Sequence, residues 1–347
     1  MFRVLSLFSG AGGLDLGLEE TGLFETEVCA DHFDDALATL RKNAGHPLSH
    51  GGRALEHAAL CDVDLSEDPL ARIVASAGQD RNCDFVVGGP PCQSFSVIGK
   101  RRGLTDPRGN LVLSYLSVVE GVRPRGFIFE NVPGFATIHA GDTYQRLLTE
   151  FRKLGYGIWS GVVCAADYGT ATVRERLFII GVLGAEDRLP GPSATHGPSD
   201  QLENAFPGME DRLPWVTSAD VLNDVPHNAP NHTLVAHTAA VIERFEKLAP
   251  GERDEARRRN RLDPSKPAYT LFAGGVLGKK QARTHIHPFQ PRELSPRECA
   301  RIHGFPDTWE FYGEHDSVLL QIANSVPVPL AAAMGRHAAD LVRVHGS

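Results

Sequence analysis

One alternation limits what this chain can fold into. Up to about residue 185, apolar runs at 3–8, 26–30, 85–87, 126–129, 158–164 and 177–182 take turns with helix-patterned segments at 14–20, 34–42, 111–121 and 144–154. Strands separated by helices pair mostly in parallel, because a parallel connection must cross the length of the sheet and a helix is the usual way across. The expected fold class is α/β, a mostly parallel sheet with helices on both faces. Sheets of this kind place their chemistry in the loops beyond the carboxyl ends of their strands.

Between about 184 and 291 the periodicity fades into Pro, His, Asn and Gly, which predicts a separate, loop-rich module. Regular patterning returns at 296–302 and 327–344, the latter a long amphipathic helix with Ser325 as its expected cap. No uninterrupted apolar stretch approaches the roughly 18 residues of a bilayer span, and no signal peptide is legible at the start. The chain is therefore expected in the cytoplasm. Its six cysteines contain no Cys-x-x-Cys pair, so neither structural zinc nor a disulfide framework is expected. Net charge is −8, against the usual balance of nucleic-acid binders. Positive charge nonetheless gathers late, at Arg257-Arg258-Arg259-Asn260-Arg261, at Lys279, Lys280 and Arg283, and at Arg292, Arg297 and Arg301. Those residues suit either a phosphate-contacting face or a solvated helix surface.

The strand candidates lead into residues that can carry chemistry. After 85–87 comes Gly88-Gly89-Pro90-Pro91-Cys92-Gln93-Ser94-Phe95-Ser96. Two prolines and two glycines spend conformational freedom on a turn that delivers Cys92 to the sheet edge in polar company. Taken alone, Cys92 is equally a nucleophile or an inert buried thiol. The first strand feeds Phe8-Ser9-Gly10-Ala11-Gly12-Gly13-Leu14, a glycine loop that lets backbone approach a ligand at a helix start. The dinucleotide fingerprint is absent, because its third glycine would fall at Asp15. Asp31, closing the second strand, can accept from ribose hydroxyls, which implies an adenosine-containing cofactor; it can equally cap the segment that follows. Glu130 follows four apolar or small residues, a setting that desolvates a carboxyl and raises its proton affinity; the alternative is a strand-end cap. Arg174 and Arg176 point the same way from an extended segment, which ordinary surface salt bridging would explain equally well in isolation.

In order along the chain these elements resemble the DNA cytosine-5 methyltransferase family. The series runs from Phe8-Ser9-Gly10-Ala11-Gly12-Gly13 through Gly89-Pro90-Pro91-Cys92-Gln93-Ser94-Phe95-Ser96, Asp106-Pro107-Arg108-Gly109-Asn110-Leu111, Glu130-Asn131-Val132 and Asp167-Tyr168-Gly169. It continues with Arg174-Glu175-Arg176, then Arg292-Glu293-Leu294-Ser295-Pro296-Arg297-Glu298-Cys299-Ala300-Arg301, Phe305-Pro306-Asp307 and Asn324-Ser325-Val326. Ala171 and Thr172 replace the family's frequent Pro and Gln, and Ala323 its frequent Gly.

The resemblance implies a Rossmann-like S-adenosylmethionine-dependent methyltransferase fold with a second, smaller, loop-rich target-recognition domain. It implies a catalytic domain at 1–188, target recognition at 189–311, and a segment at 312–347 that returns to the catalytic domain. Cys92 would be the nucleophile, Glu130 would hold the cytosine ring, and Arg174 and Arg176 would orient the flipped base, with Arg176 the better candidate for contacting the base carbonyl and positioning Glu130. S-adenosyl-L-methionine would meet Phe8, Gly10, Gly12, Leu14, Asp31, His32, Asp62, Val63, Pro90, Leu111, Asn324 and Val326; no metal is expected. The stretch Val97-Ile98-Gly99-Lys100-Arg101-Arg102-Gly103 would close over the base. The implied reaction is methyl transfer to carbon 5 of cytosine in a short duplex DNA sequence. A bacterial restriction-modification or other phage-defence setting is expected, with a cognate restriction endonuclease or defence proteins as partners not stably bound. The enzyme is expected to be a monomer. An RNA (tRNA) cytosine methylase and a catalytically silent binding protein are the alternatives. Base readers are sought first at Thr270, Leu271, Gly274, Gly275, Lys279, Lys280 and Arg283.

Overall fold

The computed structural model describes residues 1–44, 59–62, 68, 71–73, 83–91, 111–203, 211–272 and 284–346. These fall into two compact units. The first comprises Met1–Val163, Glu175–Pro192 and Ala332–Ser347, and the second Cys164–Arg174 and Ser193–Ala331.

Among the described residues of the first unit, one seven-stranded sheet dominates. Its strands are β1 (Phe2–Leu7), β2 (Phe24–Asp31), β3 (Ala59–Asp62), β4 (Phe85–Gly88), β5 (Gly126–Asn131), β6 (Tyr156–Cys164) and β7 (Glu175–Leu183), in the order β3-β2-β1-β4-β5-β7-β6. β1, β2, β3, β4 and β5 pair in parallel, whereas β7 runs antiparallel to β5. The strand order reverses between β1 and β4, where an open α/β sheet leaves a crevice. Six of the seven strands follow the apolar pattern. β3 was missed, as was the helix His315–Asn324 of the second unit.

Buried on both faces, the sheet strands read as continuous apolar runs such as Phe127, Ile128 and Phe129, all fully inaccessible. Rings interlock beside them: Phe127 and Phe151 lie 4.2 Å apart, and Tyr115 meets Phe129 edge-on at 5.3 Å. Tyr115 also bonds the strands together. From helix Leu111–Val122 its hydroxyl lies 3.0 Å from the carbonyl oxygens of both Val86 on β4 and Ile128 on β5. Burial pushes that phenol well above its ordinary pKa, so it stays a hydrogen-bond donor.

Among the described residues the second unit has little sheet: two short two-stranded pairs, His196–Gly197 with Leu213–Pro214 and Arg253–Asp254 with Arg259–Asn260. Buried polar bonding compensates. Helix Pro296–Ile302 begins with a capping box between Ser295 and Glu298, with Pro296 in its first turn. Arg292 grips Glu298 with both terminal nitrogens (2.8 and 2.6 Å). Arg297 is fully buried and donates to the carbonyls of Pro230, Pro306 and Trp309. Arg301 pairs with Asp307 and Asp224. These arginines were candidates for a phosphate-contacting face; their donors are instead committed to internal acceptors.

One further expectation is revised. Ser325 does not cap the last helix, Val328–His345; its hydroxyl donates to Ile322 O (2.7 Å) at the end of the preceding helix and lies 3.2 Å from His303 Nδ1. Segment 164–174 groups with the second unit because Val173 N–H donates to Ala268 O, Ala268 N–H to Ala171 O, and Thr195 N–H to Asp167 O. The stretch His315–His345 is long and apolar enough to cross a membrane by composition, with a mean hydropathy of 1.5. Most of it is buried within the protein, and a break after Asn324 divides it into two helices, so it serves as core.

Candidate active site

The site of the first unit is built where the parallel strands end. In register, Leu7 of β1 stands beside Ala30 of β2 and Gly88 of β4, and Gly88 beside Phe129 of β5. The residues one step further are Phe8, Asp31, Gly89 and Glu130.

Phe8 takes a left-handed backbone (φ +55°), which a side-chain-bearing residue rarely adopts, so the turn out of β1 is held under strain. Gly10 follows with φ +54°. A Cβ there would meet nothing within 4 Å, so its backbone faces open space. Asp31 organises the loop from the neighbouring strand: Oδ2 accepts from Gly10 N–H (2.8 Å), and Oδ1 from His32 N–H (2.8 Å) and Phe33 N–H (2.9 Å). Gly12 precedes helix Gly13–Glu20, and Leu14 is buried. His32 is largely exposed, with Nδ1 3.6 Å from Asp31 Oδ1. Asp62 ends β3 opposite Asp31 in register. Leu111 starts its helix, partly buried against the core.

On the other side of β1, Glu130 is nearly buried and its Oε1 lies 2.8 Å from Arg176 Nε. Arg176 is carried on β7, the antiparallel neighbour of β5, so adjacent strands supply the two charges. Gly89 gives the carboxylate room: a Cβ at that position would lie 2.5 Å from Glu130 Oε2. Asn131 then reaches back, donating from Nδ2 to Pro90 O (2.9 Å) and accepting Val132 N–H on Oδ1 (2.9 Å). It fixes a carbonyl two residues before Cys92. A partly buried carboxylate paired with a guanidinium beside a rigid Gly-Pro-Pro turn can hold a planar heterocycle by its polar edge.

A family model described as C-5 cytosine-specific DNA methylase matches residues 2–339. The chain belongs to that family. The Type II methyltransferase M.NgoFVII of Neisseria gonorrhoeae is 33% identical over 345 residues, covering 94% of this chain and 83% of its own. M.FnuDI of Fusobacterium nucleatum is 31% identical over 351 residues, covering 95% and 92%. Among solved structures, a prophage-encoded E. coli protein assigned as a DNA modification methyltransferase superposes with a TM-score of 0.74 at 25% identity, covering 99% of this chain and 100% of its own. The S. pombe Dnmt2 methyltransferase, 18% identical over 98% of this chain and 99% of its own, shares the fold with a TM-score of 0.66.

As a DNA (cytosine-5) methyltransferase the protein uses S-adenosylmethionine, and the open backbone at Gly10 beside an acid fits that group. Among the expected site residues of this methylase, Glu130 and Arg176 are brought together, as are Gly10 and Asp31. Arg174, Asn324 and Val326 belong to the second unit. Arg174 is buried there, donating to the carbonyl oxygens of Ala323 (2.5 Å) and Leu271 (3.4 Å). Asn324 is exposed at a helix end and Val326 is buried. Leu271, a candidate base reader, is also buried. Cys92, Val63, the expected closing loop at 97–103, and Gly274, Gly275, Lys279, Lys280 and Arg283 lie outside the described residues. Sequence reasoning gave Gly89 only a part in the turn to Cys92, and it singled out neither Asn131 nor Tyr115. The first two lay inside quoted motifs, but a side chain's partner across strands is not written in a motif.

Proposed function

We propose that this methylase transfers a methyl group to carbon 5 of cytosine within a short duplex DNA sequence, with Cys92 as nucleophile. The Glu130–Arg176 pair beside Gly89 carries this reading, because it supplies a carboxylate with a fixed orientation next to the turn that leads to Cys92. Cytosine carbon 5 is too weak a nucleophile to react unaided. Cys92, as thiolate, adds to carbon 6 and pushes electron density onto carbon 5. Glu130 shares a proton with ring nitrogen 3 and accepts from the exocyclic amine, stabilising the charge that addition creates. Arg176 holds Glu130 and reaches the base carbonyl. S-adenosylmethionine, when bound, supplies an electrophilic methyl group. Loss of the carbon 5 proton to a base then lets Cys92 leave with its electron pair, restoring the ring as 5-methylcytosine. The target base must leave the duplex for this chemistry, at a cost of a few kcal/mol.

The cofactor contacts proposed are Phe8, Gly10, Gly12, Leu14, Asp31, His32, Asp62, Val63, Pro90, Leu111, Asn324 and Val326. Asp31 has acceptor capacity beyond its three backbone donors with which to take a ribose hydroxyl. The domain roles proposed are catalysis for 1–188, target recognition for 189–311 and return to the catalytic domain for 312–347. The Type II names of the relatives support a restriction-modification setting in a bacterial cytoplasm, and one base modified per event suits a monomer.

Bisulfite sequencing of DNA from cells expressing the chain, beside its Cys92→Ser variant, tests the reading. Methylcytosine at one short motif, lost in the variant, is expected. An unmodified genome alongside intact S-adenosylmethionine binding would overturn it.

A further inference from the structure

The arginine run at 257–261 is not a helix face. It lies on and after the tip of a hairpin in the second unit, where Arg253 pairs with Asn260 and Asp254 with Arg259. The turn separates the arginines by their partners. Arg257 and Arg259 both reach Glu293 Oε1, at 3.2 and 3.4 Å. Arg261 turns inward and donates to the carbonyls of Phe245, Leu248 and Pro288. Arg253 and Arg258 are exposed and meet no acidic side chain among the described residues.

The turn is rigidly built. Buried Asp254 accepts from Arg244 Nε (2.8 Å) and Nη2 (3.3 Å), and from the backbone N–H of Arg257 (3.0 Å). Glu293 holds the other side. Within this clamp Arg258 sits in the left-handed region (φ +56°), a conformation costly for any residue but glycine. Such strain persists where the surrounding bonds over-determine it, and the result is a backbone that fixes where the Arg258 side chain leaves the turn before any ligand arrives.

We propose that the Arg253–Asn260 hairpin is a preformed contact for the phosphate backbone of duplex DNA, with Arg258 and Arg253 as its two phosphate ligands. The proposal rests on the reading of duplex DNA as substrate. A chain with a net charge of −8 cannot rely on overall attraction to a polyanion, so local, fixed cations must supply the electrostatic part of binding. Arginine suits phosphate through its planar fork of donors. The partner group is the backbone, not a base edge, so these contacts set affinity and register without choosing sequence.

The test is the salt dependence of DNA binding by the full chain with S-adenosylhomocysteine. Wild type, Arg258→Ala, Arg253→Ala and Arg258→Lys are titrated against a duplex with the methylated motif and an unrelated duplex. Each alanine substitution is expected to lower the slope of log affinity against log salt by about one. That change is roughly a three- to fourfold smaller affinity loss between 50 and 200 mM salt, equal on both duplexes. Arg258→Lys is expected to keep the slope. Unchanged slopes in the alanine variants, a loss confined to the motif duplex, or a slope lost in Arg258→Lys would each overturn the hairpin contact. A wild-type chain that binds neither duplex would instead bring down the DNA reading itself, and the contact with it.

Discussion

The carboxylate of Glu130 occupies the space in which a side chain at Gly89 would begin: Oε2 would lie 2.5 Å from a Cβ there. Carbon and oxygen do not approach so closely without one moving. Arg176 anchors the other oxygen at 2.8 Å, so Glu130 cannot move aside without straining that pair. Gly89→Ala is expected to leave thermal stability nearly unchanged, because the displaced atom is the end of a side chain. Methyl transfer should fall by on the order of 100-fold, the scale of a misplacement of about 1 Å. Single-turnover rates on duplex DNA check this, and a variant with full rate would refute the steric reading.

Arg174 and Arg176 lie two residues apart and have different partners. Removing the Arg176 side chain takes away the countercharge of Glu130, and Arg176→Ala should lose about 100-fold or more in rate with its fold intact. Arg174→Ala strips a donor from the buried carbonyls of Leu271 and Ala323, which should cost about 1–3 kcal/mol of stability. Urea denaturation together with rate measurement separates the two. A stable, inactive Arg174→Ala would instead favour a direct role for Arg174 at the flipped base.

Asp31 links the glycine loop to the end of β2 through charge-assisted hydrogen bonds. Asp31→Asn replaces an acceptor by a donor facing backbone N–H groups. With bonds to charged groups worth about 1.5–3 kcal/mol, S-adenosylmethionine binding should weaken roughly 10- to 100-fold. Calorimetric titration of the cofactor checks this, with the rate at saturation as the companion measurement. An unaltered dissociation constant would remove Asp31 from the cofactor site.

Helix Gly13–Glu20 carries two buried acids on one face, Asp15 and Glu19. Burial pushes their carboxyls up, from 3.8 to about 6 for Asp15 and from 4.5 to about 7 for Glu19. The folded state therefore holds these protons more tightly than the unfolded chain. The stability that these two protonated carboxyls contribute is fully present below about pH 4 and is lost as the pH rises through 6 and 7. For Asp15 the loss amounts to about 3 kcal/mol at ~1.4 kcal/mol per pKa unit. Asp15→Asn should flatten that decline, as read from denaturant unfolding between pH 4 and pH 8. Parallel pH profiles for variant and wild type would refute it.

The residues that make up the first unit were largely legible in the chain. Apolar runs and helical periodicity marked six of its seven strands, the motifs marked Phe8, Gly10, Glu130 and Arg176, and the end of the second strand marked Asp31. Local pattern suffices there because burial on both sheet faces demands continuous apolar runs, and loops at strand ends need glycine and proline. β3 escaped because it is four residues long, and His315–Asn324 because a short helix between irregular segments carries little periodic signal. What most of the charged side chains face was decided only by the fold. The family resemblance points to Arg176 as the residue that positions Glu130, but nothing in the sequence gives Arg174 its carbonyl partners or tells Arg257, Arg258 and Arg259 apart. Their partners, Leu271 and Ala323 for Arg174, Glu130 for Arg176 and Glu293 for Arg257 and Arg259, come from distant parts of the chain. Strand order and turn geometry bring them together, and neither is encoded within a few residues of the arginines themselves.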